Sequence, residues 1–366
     1  MNRFLQLHML TSYPPSNLNR DDLGRPKTAV MGGVTRLRVS SQSLKRAWRT
    51  SDVFEAALQG TIGTRTKEMG IKIYKTLTTK GIEHKKAMEW AGAIAAVFGK
   101  RKNLSKADKD KLKDLPAEER LRKELIELEI EQLAHFGPAE ETAISTLVEK
   151  LVNSNEGPDA ADLQLLRAKT GAADIALFGR MLASSPAFNM EAAAQIAHAV
   201  TVHKVAVEDD FFTAVDDLNV GEEDKGAGHM GETEYGSGIF YLYICLDRQL
   251  LLDNLSGDKT LADQTIAALI ESAATVSPTG KQNSFASRAR ASYILCETGS
   301  QQPRSLSVAF LEPIAGKRML TDSITVLRET RDKMNAVYGD CSSNHCELNA
   351  HTGEGSIREI IKQATE

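Results

Sequence analysis

The chain has 366 residues, 42% of them hydrophobic, enough to bury a large core and to form two or three folding units. Its net charge of −4 excludes a uniformly basic nucleic-acid coat, so any polyanion site must be a local patch, and 5% aromatic content argues against stacking many bases on rings. No window approaches eighteen apolar residues, which excludes a membrane-spanning helix, and four cysteines in this length do not make a disulfide framework, so a reducing cytoplasm is expected.

Residues 3–11 alternate Leu5, Leu7 and Met9 against Phe4, Gln6 and His8; they read as a first strand, and Gln6 and His8 break the apolar run a signal peptide would need. Residues 12–34, punctuated by Pro14, Pro15, Gly24, Pro26, Gly32 and Gly33, read as a long connection. Next comes "RLRVSSQSLKRAWR" (36–49). Arg36, Arg38 and Ser40 alternate with Leu37 and Val39 as on a strand, and Ser40 or Ser41 is suited to cap a following helix. On that helix Gln42, Lys45, Arg46 and Arg49 share one face, while Leu44, Ala47, Trp48 and Val53 lie on or near the other. The segment 1–50 holds nine cations against two anions. A merely solvated face is normally mixed in sign, and cations beside a helix N-terminus suit phosphate.

From 51 to about 170 the pattern is almost entirely helical, broken at 153–162, with a further short helix over "LQLLRAK". Residues 172–181 read as an apolar strand and 191–205 as a helix. Residues 208–246 contain two strand-like runs about a glycine-rich acidic middle with Gly221, Gly226, Gly228 and Gly231, the pattern of a long hairpin or arm. The remainder predicts a helix near 260–274, a loop "SPTGKQNSF", a strand "SYILC" and helices around 321–337 and 356–364. Helices and strands interleaved around one helical insertion make an α+β chain with a discontinuous core domain.

Other chemistry is thin. Cys341, His345, Cys346 and His351 invite zinc, but no second paired set exists, and Cys245 and Cys296 sit in apolar runs. Asp21 and Asp22 are adjacent, and neighbouring side chains on extended backbone point apart, so a role in loop structure is favoured over metal binding. Lys100, Arg101, Lys102, Lys106, Lys109, Lys111 and Lys113 are diluted by Asp108, Asp110 and Asp114; a solvated face is the plainer reading and duplex DNA the sharper one. "TGKQN" lacks the frame of a phosphate loop, and neither a Ser–His–Asp arrangement nor H-E-x-x-H is present. No catalytic residue, metal or cofactor is expected.

"LNRDD" (18–22), "GGVTRLRVSSQSLKRAWR" (32–49), "DIALFGRM" (174–181), "AQIAHAVTVHKV" (194–205), "FFTAVDDL" (211–218), "GSGIFYLY" (236–243) and "GKQNSF" (280–285) occur together in one order. In these the chain resembles the CasC (Cse-type) backbone subunits of the type I-E CRISPR Cascade complex. The resemblance implies a right-hand fold. An RRM-like, ferredoxin-like palm would span 1–50, 171–205 and 237–366, a helical fingers domain 51–170, and a protruding thumb hairpin 206–236. It implies a non-catalytic antiviral scaffold whose copies polymerise along the crRNA spacer as a helical homo-oligomer, hexameric in the family. Each copy grips the RNA backbone and kinks it so that every sixth nucleotide is flipped out, leaving the others to pair with a target DNA strand. Large, small and crRNA-processing subunits would be further partners.

The stretch and the matched motifs together give an expected RNA-binding set. It comprises Asn19, Arg20, Lys27, Arg38, Ser40, Ser41, Gln42, Ser43, Lys45, Arg46, Arg49, Met181, Phe212, Thr213, Lys281 and Gln282, with Met181 and Phe212 as the pair that wedges the kink. The first strand lacks the aromatic set of an ordinary RRM, in keeping with bases left free to pair. The lysine-rich, DNA-touching helix of some relatives is reduced here to Arg167 and Lys169, so the run at 100–113 is the candidate substitute. The alternative is a metal-dependent RNA endonuclease, type III-like, using an acid of the 12–34 loop.

Overall fold

The structure, a computed structural model, describes residues 2–112, 114–169, 171–214 and 229–366. Strands β1 (Phe4–Ser16), β2 (Thr28–Met31) and β3 (Val34–Val39) lead into helices α1 (Ser41–Arg49) and α2 (Asp52–Ala57). The middle of the chain forms β4 (Thr64–Thr66), α3 (Met69–Thr79), α4 (His84–Phe98), α5 (Lys106–Leu112), α6 (Ala117–Glu124), β5 (Ala134–Phe136), α7 (Pro138–Ser154) and α8 (Ala173–Phe178). Strands β6 (Ala194–Ile196), β7 (Ala199–Thr201), β8 (Glu208–Ala214) and β9 (His229–Asp247) follow. The remainder comprises α9 (Arg248–Asn254), α10 (Lys259–Thr275), α11 (Gln282–Phe285), β10 (Ala291–Gly299), α12 (Met319–Tyr338), β11 (Asn344–Asn349) and α13 (Ile357–Thr365). This is an α+β chain, as expected.

The chain divides into two compact units. One comprises residues 1–57, 194–249 and 263–366; the other comprises 58–193 and 250–262. Residues 171–193 fall in the helical unit and residues 51–57 in the first. In the first unit an antiparallel sheet runs in the order β11-β10-β1-β9-β7-β3-β2, with β6 and β8 also pairing β9. β1 is central, matching Leu7 with Ile244 on one side and Cys296 on the other. In the second unit Trp90, Ile94 and Phe98 of α4, Ile73 and Leu77 of α3, and Leu147 and Leu151 of α7 form one apolar core.

Several segments fold otherwise than their sequence pattern predicts. The 12–34 segment is less open than expected: β1 continues to Ser16, and β2 and β3 form a tight hairpin around Gly32 and Gly33. Both glycines have positive φ (61° and 75°), which two-residue hairpin turns require. The 172–181 segment is a helix, not a strand: Ala173, Asp174, Ile175, Ala176 and Leu177 are all buried, and a short apolar run buried all round has no period to separate the two. The 191–205 segment is not a helix. Ala194–Ile196 and Ala199–Thr201 lie along β9, where pairing overrides the helical propensity of its alanines. "LQLLRAK" forms no helix, and β11 pairs with β10 where no strand was expected.

Alternation along β1 sends Leu5, Leu7 and Met9 to one face of the sheet and Gln6, His8 and Leu10 to the other. The second face is not poor in rings, as the first strand suggested: Tyr241, Tyr243 and Tyr293 stand opposite His8 and Leu10. It is closed by the later chain, with Leu306, Phe310, Ile324 and Leu327 packed over Leu10, Tyr241 and Tyr293. A polar network fastens that cover. His8 Nε2 lies 3.2 Å from Glu297 Oε2, and Arg304 donates to both Glu297 oxygens at 2.7 and 3.1 Å. His8 Nδ1 is 2.9 Å from the Tyr241 hydroxyl, which accepts the Leu306 N–H at 3.1 Å. Gln6 Oε1 accepts from the Tyr243 hydroxyl and from Arg304 N, both at 2.8 Å.

Burial alone would raise the Glu297 carboxyl, but the hydrogen bonds from His8 and Arg304 outweigh it and hold that group well below the usual carboxylate range. Its stabilisation is therefore complete above the unfolded-state value of about 4.3 and is lost as pH falls toward the depressed folded value. Glu297→Gln should cost about 3 kcal/mol at pH 7, because the Arg304 charge is left without its counter-charge. In urea titrations that cost should begin to shrink below about pH 4.3. An equal cost at pH 7 and pH 3 would show that shape, not charge, fastens the cover.

Candidate nucleic-acid interface

Strand β3 splits its two arginines. Arg36, expected among the exposed cations, is fully buried: Nε donates to the Met31 carbonyl at 3.2 Å, Nη1 to Thr201 at 3.1 Å and Nη2 to Phe310 at 2.9 Å. Each of its three nitrogens donates to a carbonyl, so Arg36 holds β2, β7 and the cover together. Arg38, two residues on, is partly exposed, with Nη1 3.0 Å from His198 Nδ1 and Nε 3.4 Å from the Thr28 carbonyl. Partial burial first, then the charges of Arg38 and Lys27, lower the His198 pKa. His198 is thus held neutral, with Nδ1 accepting.

The expected cap forms. Ser40 is extended (φ −70°, ψ 147°) and its hydroxyl accepts the Ser43 N–H at 3.4 Å at the start of α1. Leu44, Ala47 and Trp48 are buried; Ser41, Gln42, Ser43, Lys45, Arg46 and Arg49 are partly or fully exposed on the other side. No acid occupies the first turn of α1. Partial burial lowers the Lys45 pKa.

Backbone bonds join this helix start to the connection after β1. Asn19 Oδ1 accepts the Ser40 N–H at 2.9 Å, the Asn19 carbonyl accepts from Lys27 N at 2.8 Å, and the Lys27 carbonyl accepts from Arg38 N at 2.8 Å. Asn19, Lys27 and Arg38 line one shallow cleft with Leu18, Val39 and Gly236. Arg20 is exposed beside it, bridging Pro26.

Asn17, which the sequence reading missed, is buried and donates to the carbonyls of Gly24 at 3.0 Å and Glu234 at 2.9 Å, tying the connection to β9. Only its position between the strand and "LNRDD" could have flagged it. The "GKQN" loop braces the same place. A Cβ on Gly280 would run into the Leu18 carbonyl and come within 2.8 Å of the Asn17 oxygen, so this close approach demands glycine. Lys281, left-handed at φ 50°, donates from Nζ to Thr233 Oγ1 at 3.2 Å, and Gln282 donates to the Pro278 carbonyl at 2.8 Å. The Phe285 ring lies 5.9 Å from that of Tyr235. Within the first unit, then, Asn19, Lys27, Arg38, Ser40 and Lys281 form one stitched strip at the base of the β8–β9 hairpin.

On that hairpin Phe211, Phe212 and Thr213 are exposed, and Phe212 pairs in register with Gly231. The acidic middle, with Gly221, Gly226, Gly228, Glu222, Glu223 and Asp224, lies outside the described residues. Met181 belongs to the helical unit. It follows Arg180, whose guanidinium is buried against Glu140 at 2.7 and 2.9 Å and also donates to the carbonyls of Arg167 (2.9 Å) and Phe188 (3.0 Å). Glu140 in turn accepts the N–H groups of Gly137 and Arg167. From this fixed base Met181 emerges 78% exposed, on the rim of a cavity of about 280 Å³ shared with Phe98, Lys100, Leu133 and Leu182.

Other candidates disperse. Asp21 Oδ1 accepts the N–H groups of Leu23 and Arg25, and its second oxygen meets the Arg25 guanidinium at 3.4 Å, so this carboxylate is committed to its own turn. Cys341 accepts from Gln6, Cys346 stands opposite Cys296 on β10, and no group of potential metal ligands forms among the described residues. In the lysine run, Lys100 pairs with Glu131 at 2.8 Å and Lys102 with Glu129 at 2.6 Å; Lys113 lies outside the described residues.

A profile of the CT1975-like protein family matches residues 5–364. A chain of a "CRISPR RNA-guided surveillance complex, pre-nicking" is similar at a TM-score of 0.82 and 27% identity, covering 99% of this chain and 100% of that one. A chain of a "CRISPR RNA-guided surveillance complex" shares the fold at a TM-score of 0.71 and 21% identity, covering 99% of each. No curated protein matches.

Gly280→Ala should lower stability by about 1–3 kcal/mol, as for other overpacking substitutions, and should speed proteolysis within 278–286. A change below about 0.5 kcal/mol would mean that the loop is not seated on the Asn17–Leu18 backbone.

Proposed function

The chain belongs to the CT1975-like family, and on that footing we propose that it is a non-catalytic crRNA-binding backbone subunit of a type I-E (Cascade) CRISPR surveillance complex. In this reading copies of the chain assemble along the guide in the cytoplasm, with a target DNA strand and the other subunits of the complex as partners. The first unit serves as an RRM-like palm, the helical unit as fingers, and the β8–β9 hairpin as thumb. The observation that carries the reading is the stitched strip itself. Asn19, Lys27, Arg38, Ser40 and Lys281 present cations and donors beside a helix start that has no acid in its first turn, while the sheet face that could stack bases is covered. Such a surface grips phosphate and sugar and leaves base edges free, which a guide holder requires. Full-length similarity to a chain of an RNA-guided surveillance complex supports it.

Arg20, Ser41, Gln42, Ser43, Lys45, Arg46, Arg49, Thr213 and Gln282 complete the proposed RNA-binding set. Lys45→Ala with Arg46→Ala should weaken binding of every guide sequence alike. The slope of log K against log salt should fall by about 0.7 for each phosphate that is no longer neutralised. Arg36→Gln should instead destabilise the fold, with the slope of the folded fraction unchanged, since Arg36 is buried. A wild-type slope in the double variant, or a reduced one in Arg36→Gln, would move the grip elsewhere.

Flipping a nucleotide costs roughly a few kcal/mol of stacking and pairing, and an exposed apolar side chain offsets that cost without choosing a base. Met181 and Phe212 are proposed for this role. Wild-type complexes scanned with single target mismatches should tolerate every sixth position. Met181→Ala with Phe212→Ala should blur that period and weaken target binding, while binding of single-stranded guide persists. No period in wild type would remove both the wedge and the type I-E assignment.

A further inference from the structure

A second site lies in the first unit, between β11, α13 and the start of the chain. The pocket there has a volume of about 850 Å³, with Asn2, Arg248, Thr298, Asn344 and Gln363 among its lining residues. Arg248 is 1% exposed. Its Nη1 donates to the Asn2 carbonyl at 3.3 Å, whereas Nε and Nη2 are buried with no acceptor. Gln363 Nε2, from α13, is likewise buried and unmatched. Asp263 and Cys296 are near enough to favour the Arg248 charge but take neither of those donors. Donors left unsatisfied in a buried site are expensive, and two charged ones and one neutral amide here call for an acceptor.

The open edge of the guanidinium is informative. Nε and Nη2 form the side of the fork that seats a carboxylate, and Arg3 uses that same side on Asp247, at 3.0 and 2.7 Å. The lining also holds Glu347, Glu359 and Glu366 against Lys362, so a run of phosphates would meet like charge at the mouth. A single carboxylate carries one negative charge past those glutamates, where a run of phosphates would carry several. Beside the pocket β11 ends the sheet. The turn at 353–355 closes its outer edge at Glu347 and Asn349, so among the described residues an extended segment would have to add at the exposed start of β11, at Asn344 and His345. We propose that this pocket binds a carboxylate carried by an extended segment of a partner protein.

The test uses the full chain and a fluorescent, end-blocked peptide Thr-Val-Glu-Val-Thr, with its Glu→Gln counterpart, read by polarisation. The Glu peptide should bind saturably and the Gln peptide about tenfold or more weakly. Arg248→Lys should abolish that preference. Should that buried substitution disturb the fold, Gln363→Met, at a partly buried position, should weaken the Glu peptide at least about threefold with the fold intact. Equal binding of the two peptides, no binding of either, or preference unchanged in the variants would overturn the proposal. Displacement by inorganic phosphate more effectively than by glutarate would assign the site to a phosphate ligand. Glutarate binding as tightly as the peptide would assign it to a free small acid.

Discussion

Glu297 is the point on which the first unit turns. A carboxylate with no exposure in the middle of a sheet face is tolerated only because His8 and Arg304 supply its partners, and the segment that brings Arg304 also brings Leu306 and Phe310. Filling that face with Gln6, His8, Tyr241 and Tyr293 and then covering it leaves no open sheet face there for bases to stack on. Polar chemistry in this unit is displaced to its margins: the connection after β1, the start of α1, and the loop around Lys281. A protein meant to hold a strand without occupying its bases is served by that displacement.

Arg36 and Arg38 show what sequence alone could and could not tell. Their two-residue spacing correctly announced a strand followed by a capped helix, with Ser40 at the cap and Leu44, Ala47 and Trp48 inward. Spacing of two also puts both arginines on one side of a flat strand, so both were expected to be exposed. The difference arises from chain far away: Thr201 and Phe310 lend carbonyls to one guanidinium, and His198 meets the other. No local pattern encodes a partner 274 residues distant. Asn17 was missed for the same reason, since its acceptor on Glu234 lies across the sheet.

The swapped elements follow the same logic. Helices α4, α7, α10, α12 and α13 and strands β1 and β10 were legible because their apolar residues repeat with a clear period or lie between strong breaks. "AADIALF" and "EAAAQIAHAVT" were not. The first is a helix with its residues buried on every side, so the alternation that would separate the two forms is absent. The second is rich in alanine and helical by preference, yet β9 runs nineteen residues from His229 to Asp247 and offers it an open edge. Pairing supplies hydrogen bonds and burial together, and local propensity is small beside that sum.

Met181 brings these strands together. A large apolar side chain left 78% exposed gains nothing from its own burial, so its position must be set by its neighbours. Arg180 supplies this: its guanidinium ties Glu140 at the start of α7, the Arg167 carbonyl and the Phe188 carbonyl into one fully buried knot. Asn189 accepts the N–H of Leu182 at 2.7 Å, clamping the chain on the other side of Met181. With the backbone fixed on both sides, Met181 has only its side-chain rotations left to lose when it meets a partner, and a lower ordering cost is what a wedge needs if it is to act at every repeat of the proposed filament. In the proposed assembly the "GRM" motif therefore divides its work: glycine turns the chain at φ 80°, arginine fixes the floor, and methionine projects from it.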